Sequence, residues 1–147
     1  MNFDEIRNEW KKDSILDDVD LDKESLVVPQ LHMKYMDEFS QINLRLRTEK
    51  NNLAKLRKTL WEYYTGKMDP HQSEEIGKDD TFQLKLLGKE IETYILSDDD
   101  MCKCLAKIEY WETVKKYVEG IISQLDKRGF QLKAAIDWRK FISGGIT

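Results

Sequence analysis

The sequence predicts a mainly α fold of long helices with heptad-like seams, and three observations carry that expectation. Charged residues make up 35% of the chain and hydrophobic ones 40%, while only two prolines and seven glycines interrupt it. Such a balance favours long, solvated helices over a loop-rich β fold. Two long stretches carry apolar residues in alternating steps of four and three, the spacing of a narrow helical seam. Helix start and stop residues bracket those stretches. A chain of 147 residues suits a single domain able to bury its own core. Within residues 1–147, residues 1–66 form an N-terminal helical, basic part and residues 97–147 a C-terminal helical part suited to assembly.

The elements follow in order. Phe3, Ile6 and Trp10 share one face of a short amphipathic helix over residues 3–12. The acidic, turn-rich run from Asp13 to Glu24 reads as a connector. Its aspartate spacing is reminiscent of a calcium loop, but the glycine and terminal glutamate of an EF-hand loop are missing. From Val28 to Thr65 the apolar residues Tyr35, Phe39, Ile42, Leu46, Leu53, Leu56, Leu60 and Tyr63 form a seam in which Glu49 fills one gap. Pro29 suits the first helical turn and Gly66 the stop. A helix of about 36 residues would span ~54 Å at 1.5 Å per residue. That exceeds the core of a small domain, so the seam predicts packing on another helix, including one from a second copy of the chain.

Residues 67–80 lack periodicity and read as a surface loop. Residues 81–96 fit either a helix on Phe82, Leu86 and Ile91 or a small β-hairpin turning at Leu87 to Glu90; the helical surroundings favour the helix. Ser97, followed by Asp98, Asp99 and Asp100, is a helix start with carboxylates in the first turn. The helix is expected to reach Arg128, on a seam of Cys104, Ile108, Trp111, Val118, Ile122 and Leu125 broken at Lys115. Gly129 should end it, and a last helix should run from Phe130 to Ile142, with Gly144 and Gly145 closing the chain.

Charge is distributed in blocks. Residues 1–42 carry net −6, residues 43–68 net +5, residues 69–100 net −7 and residues 101–147 net +4, within a total of −4. The basic block, Arg45, Arg47, Lys50, Lys55, Arg57, Lys58 and Lys67, is opposed only by Glu49 and Glu62 and ends at Trp61, Tyr63 and Tyr64. Cations neutralise phosphates, and rings stack on unpaired bases without requiring a sequence. The run therefore reads as a candidate single-stranded nucleic-acid site, with Trp61 and Tyr64 as stacking candidates. A solvated helix face beside core aromatics is the plainer reading of the same residues, and Tyr63 continues the seam.

Other chemistry finds little support. Cys102 and Cys104 are one residue apart, too close for an unstrained disulfide, and suit a reducing, cytosolic setting as structural thiols. A metal site would need two further ligands, and His32 and His71 lie far from the pair. No nucleophile motif, P-loop or dinucleotide fingerprint is present, so neither an enzyme nor a cofactor is expected. There is no apolar run of membrane-spanning length, and the N-terminus is too charged for a signal peptide.

Several segments together resemble the UvsY family of recombination mediators from T4-like phages. They are Glu9 to Asp13 with its aspartate-rich turn, Lys58 with Leu60 to Gly66 (LWEYYTG), Tyr110–Trp111, and Asp126 to Phe130 (DKRGF) with the helix after it. The resemblance covers nearly the whole length. It implies a non-enzymatic factor in the cytoplasm of an infected bacterial host. It also implies a ring of six or seven subunits that binds single-stranded DNA, contacts a UvsX-like recombinase and the phage single-strand-binding protein, and loads the recombinase onto covered strands. The family's basic pair before the tyrosines places its first member on Lys58. The second falls on Leu60, which is not basic, and Arg57 stands on an adjacent face.

Assembly is expected through Ile108, Trp111, Val118, Ile122, Leu125 and Phe130, of which Trp111, Val118, Ile122 and Leu125 read as an apolar stripe with little use inside the chain. A structural coiled-coil adaptor without DNA binding is the alternative function.

Overall fold

The structure, a computed structural model, describes residues 1–78, 82 and 84–144. It is mainly helical: α1 (Phe3–Asp13), α2 (Leu21–Tyr64), α3 (Pro70–Glu75), α4 (Gly88–Ser97) and α5 (Asp99–Ile142). Among the described residues there is no strand, and no helix is long and apolar enough to cross a membrane.

Two compact units are present, Met1–Leu44 with Thr113–Thr147, and Arg45–Glu112. The expected division into residues 1–66 and 97–147 follows chain order. The compact units instead each take part of α2 and part of α5.

In the first unit, α1 opens on a capping box. The Glu5 amide donates to Asn2 Oδ1 at 2.9 Å, and the Asn2 amide donates to a Glu5 carboxylate oxygen at 2.7 Å. Its apolar face is the expected one. Ile6 is buried, Phe3 meets Tyr117 edge-on at 5.3 Å, and Trp10 meets Tyr35 edge-on at 5.6 Å. Lys34 bridges Glu9 and Asp13 at 2.8 and 2.7 Å, and the Tyr35 hydroxyl donates to Asp13 at 2.8 Å.

The connector is shorter than expected. α2 starts at Leu21, which is buried, and the Glu24 amide bonds the Asp20 carbonyl. Pro29 therefore lies inside the helix rather than in its first turn. It cannot donate to the Ser25 carbonyl, but both residues are exposed and water can take that place.

The second unit is organised around Leu60, Tyr63, Tyr64, Met68, Ile95 and Met101, with Leu53, Leu56, Phe82, Leu86 and Ile91 packed against them. Gly66, at φ +73°, ends α2 as expected. The Lys67 amide reaches back to the Glu62 carbonyl and the Gly66 amide to Tyr63, the reversed ladder that a left-handed residue permits. The expected loop at 67–80 contains α3, started by Asp69, whose carboxylate accepts the Gln72 amide at 2.9 Å with Pro70 next in line.

Residues 88–97 are helical, so the hairpin alternative does not hold there; residues 81 and 83 lie outside the described residues. The Leu87 to Glu90 segment is a helix entry, with Glu90 accepting the Leu87 amide at 2.8 Å.

α5 departs from expectation at both ends. Its cap is Asp98, whose carboxylate accepts the Asp100 amide at 2.9 Å, while the Ser97 hydroxyl turns back to the Thr93 and Tyr94 carbonyls. At the other end the helix runs unbroken through Gly129 to Ile142. Gly129 is not in a positive-φ conformation, and a helical glycine costs only about 1 kcal/mol against alanine. The buried seam of Val114, Val118, Ile121, Leu125, Arg128 and Leu132 continues across it.

Candidate nucleic-acid interface

On α2 the apolar seam runs through Leu46, Glu49, Leu53, Leu56, Leu60 and Tyr63. At 3.6 residues per turn the opposite face carries Arg47, Asn51, Ala54, Lys58 and Trp61, again in steps of four and three. All five are exposed, as is Lys55 beside them. The rotation set by the buried seam thus turns part of the basic block outward as a continuous row.

The seven cations separate into two groups. Arg45 lies 4.3 Å from the Trp111 ring, Lys50 pairs with Glu112 at 3.3 Å, and Arg57 pairs with Glu92 of α4. Those three sit on flanks of α2 and are engaged by neighbouring helices of the same unit. Arg47 and Lys55 have no ion pair among the described residues. Lys58 is exposed, with Glu62 loosely placed at 3.9 Å. Lys67 lies over the Trp61 ring at 4.1 Å. The free positive charge of the block is therefore on Arg47, Lys55, Lys58 and Lys67.

The aromatic cluster also divides. Trp61 is 40% exposed and borders a shallow depression of about 350 Å³ with Ala54, Arg57 and Lys58. Tyr63 and Tyr64 face inward, meeting each other at 5.0 Å and Phe82 at 5.6 and 4.9 Å. The Tyr64 hydroxyl donates to Asp98 at 2.7 Å. Its ring packs against Tyr63, Phe82 and Tyr94 and keeps only an edge on a cavity of the second unit, so Tyr64 belongs to the core, and of the two stacking candidates Trp61 is the one on the outward face of α2.

Behind the interface lies a buried polar cluster that sequence inspection missed. Asp98 accepts from the Tyr64 hydroxyl, from the Asp100 amide and from Lys78, which pairs with it. Burial pushes the Asp98 carboxyl up, but the Lys78 ammonium, the Tyr64 hydroxyl and the Asp100 amide outweigh that and hold it below its usual range. Burial, reinforced by Asp98, raises the Tyr64 phenol. The cluster pins the segment after α3 to the start of α5. The sequence signal was the run Ser97 to Asp100, which reads as a helix start capped by Ser97, one residue before the observed cap at Asp98.

Glu49, the polar break in the seam, is buried and receives Lys107 at 2.8 Å, so it is held by a cation from α5 rather than left facing an apolar partner.

The residues expected to mediate assembly are mostly used inside the chain. Ile108, Trp111, Val118 and Leu125 are buried and Ile122 is half-buried. The reading that this stripe has little internal use is corrected: its side chains are buried or half-buried within the chain. Lys115 is not a break but lies 5.6 Å from the Phe39 ring, and the adjacent Val114 fills the seam. Phe130 is different, 79% exposed, and falls on one exposed helical face with Ala134, Trp138 and Phe141. The rings of Trp138 and Phe141 stack at 5.6 Å.

Comparison with known proteins identifies the family and the fold. The sequence profile of the family described as "Recombination, repair and ssDNA binding protein UvsY" matches residues 9–145. The chain is 27% identical to the recombination protein uvsY of Enterobacteria phage T4, over 98% of this chain and 99% of that one. Its fold is similar to crystal structures of the bacteriophage T4 recombination mediator protein UvsY. In one lattice the TM-score is 0.83 at 23% identity, covering 97% of this chain and 98% of the other. In a second lattice the TM-score is 0.84 at 23% identity, covering 96% and 99%.

Proposed function

Because the chain belongs to the UvsY family of recombination, repair and single-stranded DNA binding proteins, we propose that it is a recombination mediator that binds single-stranded DNA along the outward face of α2. In this reading it loads a UvsX-like recombinase onto strands already covered by the phage single-strand-binding protein. The observation that carries the DNA site is the row of Arg47, Lys55 and Lys58 beside the exposed Trp61, with Arg45, Lys50 and Arg57 engaged by neighbouring helices.

Each chain offers few free cations, so one site is weak. Repetition of the site around a homo-oligomeric ring raises overall affinity, since each later contact is intramolecular. The face carrying Phe130, Trp138 and Phe141 is the part of the C-terminal helix left free to mediate assembly; the buried seam residues hold the subunit together and support it. Wrapping a strand over successive subunits bends it away from the arrangement held by the binding protein and presents it to the recombinase. No catalytic step is assigned to the chain.

The test is fluorescence anisotropy with labelled single- and double-stranded oligonucleotides across a salt series, with the same sample sized by light scattering. Tight, salt-sensitive, single-strand-preferring binding by an oligomer is expected. A strand labelled at both ends should also change its end-to-end distance on binding. Absence of binding at low salt would move the assignment to a structural adaptor.

A further inference from the structure

A cavity of about 630 Å³ opens in the second unit at the C-terminal end of α2, a size within the range that small organic ligands fill. Tyr63, Tyr64 and Phe82 supply rings to its lining, Met68 and Ile91 supply apolar surface, and Lys85 contributes the one charged side chain among its described lining residues. Lys85 is exposed and has no ion pair among the described residues.

We propose that this cavity receives a nucleobase of the bound single strand, a subsite distinct from the outward face of α2; the proposal rests on the single-strand reading of that face. Three arguments select a base over an aliphatic or anionic ligand. Ring-lined walls offer stacking and edge contacts to any base. The one charged side chain among the described lining residues, Lys85, is positive, matching a phosphate-linked ligand and opposing a free cation. Three lining hydroxyls are already engaged, Thr65 with the Trp61 carbonyl at 2.6 Å, Ser73 with the Asp69 carbonyl at 3.2 Å and Tyr64 with the Asp98 carboxylate at 2.7 Å. With those three hydroxyls committed, the described walls meet a base chiefly through ring surfaces, which do not discriminate among bases, as a sequence-tolerant mediator requires.

Position supports the same occupant. Thr65 and Gly66, which line the cavity, follow Trp61 by about one helical turn, or ~6 Å along the axis. In the proposal a strand laid on Arg47, Lys55, Lys58 and Trp61 continues past the end of α2 toward the cavity, where Lys85 neutralises the adjoining phosphate.

The experiment is photocrosslinking of the full-length protein to oligothymidylate carrying 5-iodouracil, with crosslinked peptides identified by mass spectrometry and affinity followed in parallel by anisotropy. Crosslinks at Tyr63, Tyr64 or Phe82 are expected, together with a fall in affinity of about fivefold or more and disappearance of those crosslinks in Lys85→Glu. Salt-sensitive binding with crosslinks confined to Trp61 or to other surfaces would overturn the cavity assignment and leave the α2 face standing. Unchanged cavity crosslinks in Lys85→Glu would overturn the role of Lys85. Absence of salt-sensitive binding would remove both the subsite and the reading on which it rests.

Discussion

The guanidinium of Arg128 donates to the backbone carbonyls of Asp13 and Ser14 at 3.0 and 3.4 Å, so a residue of α5 closes the C-terminal end of α1. Arg128 is buried, and its guanidinium carbon lies 5.5 Å from the Trp10 ring centre. The last carbonyls of α1 lack intrahelical donors and carry partial negative charge, and a forked cation satisfies both demands. Arg128→Ala should destabilise the protein by about 2–3 kcal/mol, and Arg128→Lys by less, because the carbonyls keep one donor. Chemical denaturation monitored by circular dichroism measures it; a destabilisation below about 0.5 kcal/mol would show that water replaces the guanidinium.

Asp98 gives the structure an acid-sensitive point. Its folded carboxyl lies below its usual range, so the unfolded chain takes up this proton at higher pH than the folded one. The stability contributed is complete above the unfolded value and is lost as pH falls through the folded value. Thermal melts from neutral pH downward should show that decline in the native sequence. Asp98→Asn should lower stability at neutral pH and flatten the acid limb; an unchanged limb would show that other carboxylates carry it.

The two groups of cations should separate in a salt titration. Arg47→Ala and Lys58→Ala should each weaken single-strand binding and reduce the salt slope by about 0.7 for each phosphate no longer neutralised. Lys50→Ala, whose partner is Glu112, should change the slope little and stability by less than about 1 kcal/mol. Equal slopes for all three variants would place the strand elsewhere.

Trp61 and Tyr64 should behave oppositely. Trp61→Ala should weaken single-strand binding by about fivefold or more while barely changing the melting temperature. Tyr64→Phe should keep DNA affinity and lower stability by about 1–2 kcal/mol, since Asp98 then has one buried donor fewer. Anisotropy and melting curves on the same preparations give both readings, and a DNA defect confined to Tyr64→Phe would reverse the assignment.

Assembly should depend on the exposed end of α5. Trp138→Glu should reduce the oligomer to smaller species in light scattering, with helical content by circular dichroism retained. An unchanged mass would locate assembly outside this face.

Legibility followed the physics of each element. The α2 seam was readable residue by residue, including its polar gap at Glu49, because a buried stripe must repeat with the helix. The stop at Gly66 was readable because a left-handed residue at a helix end favours glycine. The same logic failed at Gly129, where a glycine and two preceding cations imitate a helix end. Arg128 does complement a helix C-terminus, but that of α1, and this pairing joins residues more than a hundred positions apart. The α3 start at Asp69–Pro70 was overlooked because so short a helix leaves no periodicity to detect.

The sequence by itself determined that the chain is helical, where its basic block lies, and which residues of α2 turn inward, since these depend on local spacing and composition. Tertiary structure alone decided which cations remain free, that Tyr64 is core while Trp61 is surface, and that the α5 stripe is covered within the chain. Those outcomes depend on which distant side chain arrives at a given flank: Glu92 at Arg57, Glu112 at Lys50, Asp98 at Tyr64. Local periodicity fixes the direction in which a side chain points, and only the packed chain fixes what it meets there.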